Sequence, residues 1–290
     1  MLSPSSTART PAAPLLRVSG LTVRYGSVDR DVPPALSEVS FEVAPGEITG
    51  VLGESGCGKS TLALSILGLL PNDATAEGSI RFRDAELLGQ EELRLRKVRG
   101  ARISLIHQEP GLALSPVMRV GEQIAEVVRA HSGGSRQQRR EQVDTILHAV
   151  CLADTRRITR SYPHQLSGGE LHRVAIAQAL VCRPDLVIAD EPNRALDVTL
   201  QLELLHLLRE LNREFNTALL FITHNPMLLA GFASRVLVMR SGKTVEEGRV
   251  AEVFRQPANA YTRLLLQLVP RPISSNREIL SDVSGELLPT

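Results

Sequence analysis

At 290 residues, with 43% hydrophobic and 22% charged positions, the chain has the composition of an ordinary globular protein and enough length to bury a substantial core. Lys and Arg number 33 against 32 Asp and Glu, a net charge of +1 that argues against nucleic acid as a bulk electrostatic partner. The three cysteines, Cys57, Cys151 and Cys182, form no CxxC pair or evident disulfide set, and no apolar run approaches the ~20 residues that a membrane-spanning helix needs.

Residues 1–14, rich in Ser, Thr, Pro and Ala and without a long apolar core, read as a disordered lead and not a signal peptide. Leu15 to Tyr25 and Leu36 to Val43 alternate apolar and polar positions, which predicts half-buried antiparallel strands. Tyr25, at the end of the first, is either a core tyrosine or an aromatic placed to stack on a base. The largely apolar run Ile48 to Leu52 then leads into Gly53-Glu54-Ser55-Gly56-Cys57-Gly58-Lys59-Ser60-Thr61, and a helix continues through Leu70. Pro71 to Gly78 reads as a turn-rich break, Ser79 to Arg83 as a short strand and Glu91 to Arg99 as a charged helix. Ile103 to Ile106 is a strand ending at His107-Gln108. From Val120 to about Leu152 the periodicity is helical, with Ser132-Gly133-Gly134 as an internal loop, so this stretch reads as a helical insertion. Leu166 to Glu170 opens a helix running to about Cys182. Leu186 to Ala189, four apolar residues capped by Asp190-Glu191, has the form of a buried parallel strand. A helix with Leu204, Leu208, Leu211 and Phe215 on one face precedes the strand Ala218 to Thr223, which ends at His224. Arg235 to Arg240 and Lys243 to Glu247 read as a hairpin about Ser241-Gly242, followed by two closing helices and a polar tail over residues 270–290.

The stretch Gly53 to Thr61 fits the Walker A pattern G-x-x-x-x-G-K-[ST] between a strand and a helix. Its chemistry is anion capture: glycines let successive backbone N–H groups turn inward, and the helix N-terminus adds its dipole. In that setting Lys59 reaches the β- and γ-phosphates and the Ser60 hydroxyl ligates Mg²⁺, a hard cation that needs only one or two protein oxygens. Strands alternating with helices imply a parallel sheet with ligands beyond the carboxyl ends of its strands, where Gln108, Asp190, Glu191 and His224 all fall. Downstream of a Walker A loop, Asp190 is placed to hold magnesium through water and Glu191 to orient the attacking water, as in a nucleotide-hydrolysing P-loop protein.

Leu166-Ser167-Gly168-Gly169-Glu170, lying between the helical insertion and the Asp190-Glu191 strand, closely resembles the signature motif of ATP-binding-cassette (ABC) ATPases. With the Walker A loop, Gln108, Asp190-Glu191, the Ala195-Leu196-Asp197 turn and His224, the resemblance covers Leu15 to Val269 with every diagnostic motif in order. It implies an α/β P-loop NTPase with an ABC-type core, a parallel sheet plus an antiparallel β subdomain, and a helical subdomain inserted at about residues 115–183. It further implies two ATP molecules with Mg²⁺ in a head-to-tail pair of such chains. Each ATP would lie on one chain's residues Gly53 to Thr61 and be covered by the other chain's Ser167, Gly168, Gly169 and Glu170. The same resemblance gives Tyr25 an adenine-stacking role, Gln108 that of a magnesium and water sensor facing the membrane partner, His224 a contact to the γ-phosphate, and Asp197 a place in the loop that crosses the dimer.

The segments Gln108-Glu109-Pro110, Leu114 to Met118, Val120 to Ile124, Tyr162-Pro163-His164 and Tyr261-Thr262-Arg263 are similar to those of importer ATPases for dipeptides, oligopeptides and nickel. This narrower likeness implies a subunit on the cytoplasmic face of the membrane, working with integral membrane permeases, an extracytoplasmic substrate-binding protein and a second ABC ATPase, a heterodimer ahead of a homodimer. The alternative is a soluble ABC-type ATPase serving a metabolic enzyme complex. Asn193, Arg194 and Asn225 depart from the family's usual residues without removing a catalytic group, and Arg194 places a cation near the expected dimer seam. Cys57, beside the phosphates and Lys59, is either a small filler or a thiolate that an alkylating agent would attack.

Overall fold

The computed structural model describes residues 13–26, 33–194 and 196–267. Most of the expected N-terminal lead, Ala195 and the 270–290 tail lie outside the described residues. In chain order the elements are β1 (Leu16–Arg24), β2 (Leu36–Val43), β3 (Ile48–Leu52), α1 (Lys59–Leu67), β4 (Thr75–Phe82), β5 (Ala85–Glu86), α2 (Glu92–Val98), β6 (Ile103–Ile106) and α3 (Pro110–Ala113). Four helices follow, α4 (Val120–His131), α5 (Arg136–Ala149), α6 (Thr155–Arg160) and α7 (Gly168–Leu180). The chain continues through β7 (Leu186–Asp190), α8 (Val198–Phe215), β8 (Ala218–Thr223), β9 (Arg235–Arg240), β10 (Lys243–Arg249), α9 (Val250–Arg255) and α10 (Ala260–Gln267).

Two sheets organise these elements. One is antiparallel, in the order β2-β1-β4-β5; the other runs β10-β9-β3-β8-β7-β6, parallel except for the antiparallel edge strand β10. The parallel strands are buried on both faces, and their side chains alternate between two cores. Leu219 and Phe221 join Val187, Ala189 and the helical side, whereas Leu220 and Ile222 join Leu186, Ile188 and the side built from α1 and the antiparallel sheet. Phe221, fully buried, meets Phe232 edge-on at 5.1 Å.

The order of strands places the site. β3, β8, β7 and β6 are consecutive neighbours, and the registers Leu52↔Thr223, Asp190↔Ile222 and Ile106↔Ala189 bring their carboxyl ends to one level. The segments that follow those ends are Gly53 to Thr61, His224, Glu191 and Gln108.

Two local expectations are corrected. The strand expected from Ser79 begins at Thr75, because Thr75, Ala76 and Glu77 pair with Arg24, Val23 and Thr22 of β1 and so complete the ladder. The helix after the Walker A loop ends at Leu67, where Gly68 adopts a left-handed conformation (φ 60°) that returns its N–H to Leu64 and Ser65. Among the described residues no helix is long and apolar enough to cross a membrane.

Candidate nucleotide site

The loop from Gly53 to Gly58 is shaped by its glycines and by the strand behind it. Gly58 caps α1 with φ 106°, and a Cβ there would lie 2.6 Å from the Ala35 carbonyl oxygen. A Cβ at Gly53 would lie 2.4 Å from the Met239 carbonyl oxygen. The loop is therefore pressed against β9 and the start of β2, with Cys57 O accepting from Gly242 N–H at 3.0 Å. The resulting cradle of backbone N–H groups at a helix N-terminus fits a phosphate chain.

Lys59 begins α1 and is 5% exposed. Its ammonium donates to the carbonyl oxygens of Gly53 and Glu54, each at 2.8 Å, and lies 3.8 Å from Glu191 Oε1. Glu191 is itself buried, with a left-handed backbone (φ 45°) fixed by its N–H bond to the Ile222 carbonyl oxygen at 3.0 Å. The same Oε1 lies 3.1 Å from His224 Nδ1. One carboxylate oxygen is thus shared between a buried cation and a half-exposed imidazole.

Asp190 closes β7, with the Ser60 side chain close by. Burial pushes its carboxyl above the ordinary aspartate range, with the neighbouring Glu191 adding to the rise, against Ser60 and Lys59. A desolvated carboxylate beside a hydroxyl is an oxygen-only donor set of the kind Mg²⁺ takes, so Ser60 and Asp190 fit that ion. Tyr25 is 41% exposed and its hydroxyl donates to Thr61 Oγ1 at 3.1 Å, leaving it at the rim of the loop. Gln108 is half-buried beyond the end of β6, on the far side of β7 from the loop, and makes no hydrogen bond among the described residues.

The structure therefore gathers Gly53 to Thr61, Asp190, Glu191, His224 and Tyr25 around one loop. It does not bring the remaining residues there. Ser167 caps α7, accepting from Glu170 N–H at 3.3 Å while Glu170 accepts from Ser167 N–H at 2.9 Å, a closed capping box. Arg157 on α6 donates to the outer oxygen of Glu170. The Ser167 N–H, with Arg157 adding to it, holds the Glu170 carboxyl below its ordinary value against the desolvation that would raise it. Added Cβ atoms at Gly168 or Gly169 would meet nothing within 4 Å. Asp197 caps α8 by accepting from Leu200 N–H at 2.9 Å, and is exposed. No hydrogen bond or ion pair among the described residues joins these groups to the Walker A loop.

Of the two readings of Cys57, burial favours the small filler. Cys57 is 6% exposed, and burial pushes its thiol up in pKa despite Lys59 nearby. The desolvated thiol packs beside Gly53, so Cys57 is a buried filler and contributes only backbone to the cradle. Two residues with structural claims on the site were missed: Arg157, whose partner Glu170 lies 13 positions away, and Tyr261, whose hydroxyl accepts from Glu54 N–H across 207 positions.

The ABC transporter family's sequence profile matches residues 36–194, more than half of the chain. The chain belongs to the ABC transporter family. This ABC ATPase is 44% identical over 271 residues to the oligopeptide transport ATP-binding protein OppD of Salmonella typhimurium, covering 93% of this chain and 81% of that one. It is 42% identical over 259 residues to the dipeptide transport ATP-binding protein DppD of Haemophilus influenzae, covering 88% and 78%. Its fold superposes with a TM-score of 0.71 on the dimeric bacterial ABC transporter cassette MJ0796, at 27% identity over 81% of this chain and 98% of that chain. The same cassette has been solved as a dimer in a post-hydrolysis state bound to ADP and Pi. ATPases of this family bind ATP with Mg²⁺, hydrolyse it and work as dimers with membrane permeases.

Proposed function

We propose that this ABC ATPase powers an importer of dipeptides or oligopeptides from the cytoplasmic face of the membrane. The observation that carries the proposal is the 44% identity to an oligopeptide transport ATP-binding protein across nearly the whole chain. Its chemistry rests on the cluster at the ends of β3, β7 and β8. The Walker A cradle and Lys59 bind the phosphate chain of ATP, and Tyr25 stands at the adenine end. Ser60 and Asp190 would hold Mg²⁺, which when bound would neutralise charge on the phosphates. Glu191 orients a water and takes its proton as the water oxygen bonds to the γ-phosphorus. The bond from that phosphorus to the β–γ bridging oxygen breaks, giving ADP and phosphate. His224, already bonded to Glu191, keeps the carboxylate turned to its task. Gln108 senses the metal and water and faces the membrane subunits.

A second ATPase chain supplies Ser167, Gly168, Gly169 and Glu170 over this chain's ATP, and its Asp197 loop crosses the seam; a different second chain is favoured over a second copy. The permeases and an extracytoplasmic binding protein complete the complex and select the cargo. The division into an ATPase domain over residues 15–269 with a helical subdomain at about 115–183 matches this assignment of roles. The test is uptake into vesicles carrying the permeases and binding protein, offered peptides and nickel, with wild type compared to Glu191→Gln. ATP-dependent accumulation of peptide that the variant abolishes supports the proposal. Normal ATP hydrolysis without a permease complex or uptake overturns it and points to a soluble accessory ATPase.

A further inference from the structure

Three segments distant in sequence meet behind the first turn of the Walker A loop. Glu54 has both backbone polar groups engaged. Its N–H donates to the Tyr261 hydroxyl at 3.3 Å, and its carbonyl accepts from Lys59 Nζ at 2.8 Å and from Cys57 N–H at 3.3 Å. Tyr261 is 4% exposed, and the guanidinium of Arg240, at the end of β9, lies over its ring at 4.8 Å from the centroid.

The helix that carries Tyr261 is anchored at its start. Glu246 of β10 accepts from Ala258 N–H at 2.7 Å and Asn259 N–H at 3.1 Å, and the Asn259 side chain in turn accepts from Tyr261 N–H at 2.8 Å. The hydroxyl is thus presented from a fixed frame. Burial raises the phenol above its ordinary pKa, outweighing the lowering by the Glu54 N–H and Arg240, so the hydroxyl keeps its proton.

When a phosphate chain enters, Lys59 has to exchange the carbonyls of Gly53 and Glu54 for phosphate oxygens. The hold that Lys59 exerts on Glu54 is then lost at the moment the loop must keep its shape. The Tyr261 bond engages the Glu54 N–H and not the carbonyl that Lys59 holds, so it does not depend on Lys59.

We propose that Tyr261 is a positioning residue for ATP binding: its hydroxyl pins Glu54 so that the loop's remaining amides stay turned toward the phosphates. Nothing in the motif pattern of the site assigns it that role. The inference rests on ATP occupying Gly53 to Thr61, as proposed above.

Tyr261→Phe tests it, because Phe keeps the buried ring and the Arg240 contact and deletes only the hydroxyl. A single neutral hydrogen bond sets the scale, so KM for ATP and Kd for a non-hydrolysable Mg²⁺–ATP analogue should rise roughly three- to tenfold. The value of kcat at saturating ATP should stay within about twofold, and the thermal midpoint without nucleotide should barely move. An unchanged Kd and KM in Tyr261→Phe overturns the proposal. A lowered thermal midpoint with unchanged Kd also overturns it, since the hydroxyl then serves folding alone. Lys59→Ala run alongside separates the two levels: loss of analogue binding upholds the phosphate site, so that a silent Tyr261→Phe counts against Tyr261 only. Normal binding by Lys59→Ala overturns the site itself.

Discussion

The ends of the parallel strands and the start of α7 solve opposite problems with charged and polar groups. At the strand ends Lys59 and Glu191 are buried, Asp190 is half-buried, and Lys59, Glu191 and His224 are joined across elements. At the start of α7, Ser167 and Glu170 satisfy one another within four residues, and the two glycines between them face open space. The first region is assembled from several elements, whereas the second is a local cap that, Arg157 beside Glu170 apart, no side chain of another element bonds among the described residues. That contrast is what a site shared between two chains requires: one part built to react and the other built to be presented.

Substitutions at the strand ends should have the largest effects and act within a single chain. Glu191→Gln keeps size and burial but removes the proton acceptor, so steady-state ATP hydrolysis should fall by about 10²- to 10⁴-fold while ATP binding persists, as single-turnover assays and equilibrium binding would reveal. A fall of less than tenfold would move the catalytic base elsewhere. Next in size, Phe221→Ala empties the core beneath the site and should cost about 3–5 kcal/mol in denaturant unfolding, a loss with no counterpart at the exposed start of α7.

At the signature end the effects should be smaller. Ser167→Ala breaks a capping box and should cost about 1 kcal/mol of stability in the same assay. The box also carries a pH signature. Because the Glu170 carboxyl is held below its ordinary pKa, its contribution is present above the ordinary glutamate range and is lost as pH falls through the lowered value. Glu170→Gln should flatten that part of the stability profile, and an unaltered profile would break the assignment. The smallest effect is a silent one: maleimide should label the exposed Cys151 of the folded protein and leave Cys57 unmodified until denaturant is added. Rapid labelling of Cys57 would show that the cradle opens.

What was legible in the sequence follows the same division. The strand-end residues were legible because their spacing is local: a glycine loop before a helix, and two acids after four apolar residues. The parallel sheet followed from alternation of strands and helices. The first half of β4 was not legible, because Thr75 to Gly78 carries no apolar alternation and is a strand only through its pairing with β1. The short helix α6 has just six residues, below the length at which periodicity speaks. The choice between the two readings of Cys57 was not legible, because proximity to Lys59 is visible in the sequence while burial under the loop is not. Arg157 and Tyr261 were hidden because their contacts to Glu170 and Glu54 are tertiary and leave no local pattern.

The left-handed backbone of Glu191 sets stability against activity at one position. A non-glycine residue held there carries a conformational strain of about 1–2 kcal/mol. Glycine would relieve that strain and delete the carboxylate in the same stroke. Relief of the backbone strain is therefore set against a buried Lys59 ammonium left without its counter-ion and, on the proposed mechanism, against turnover of ATP.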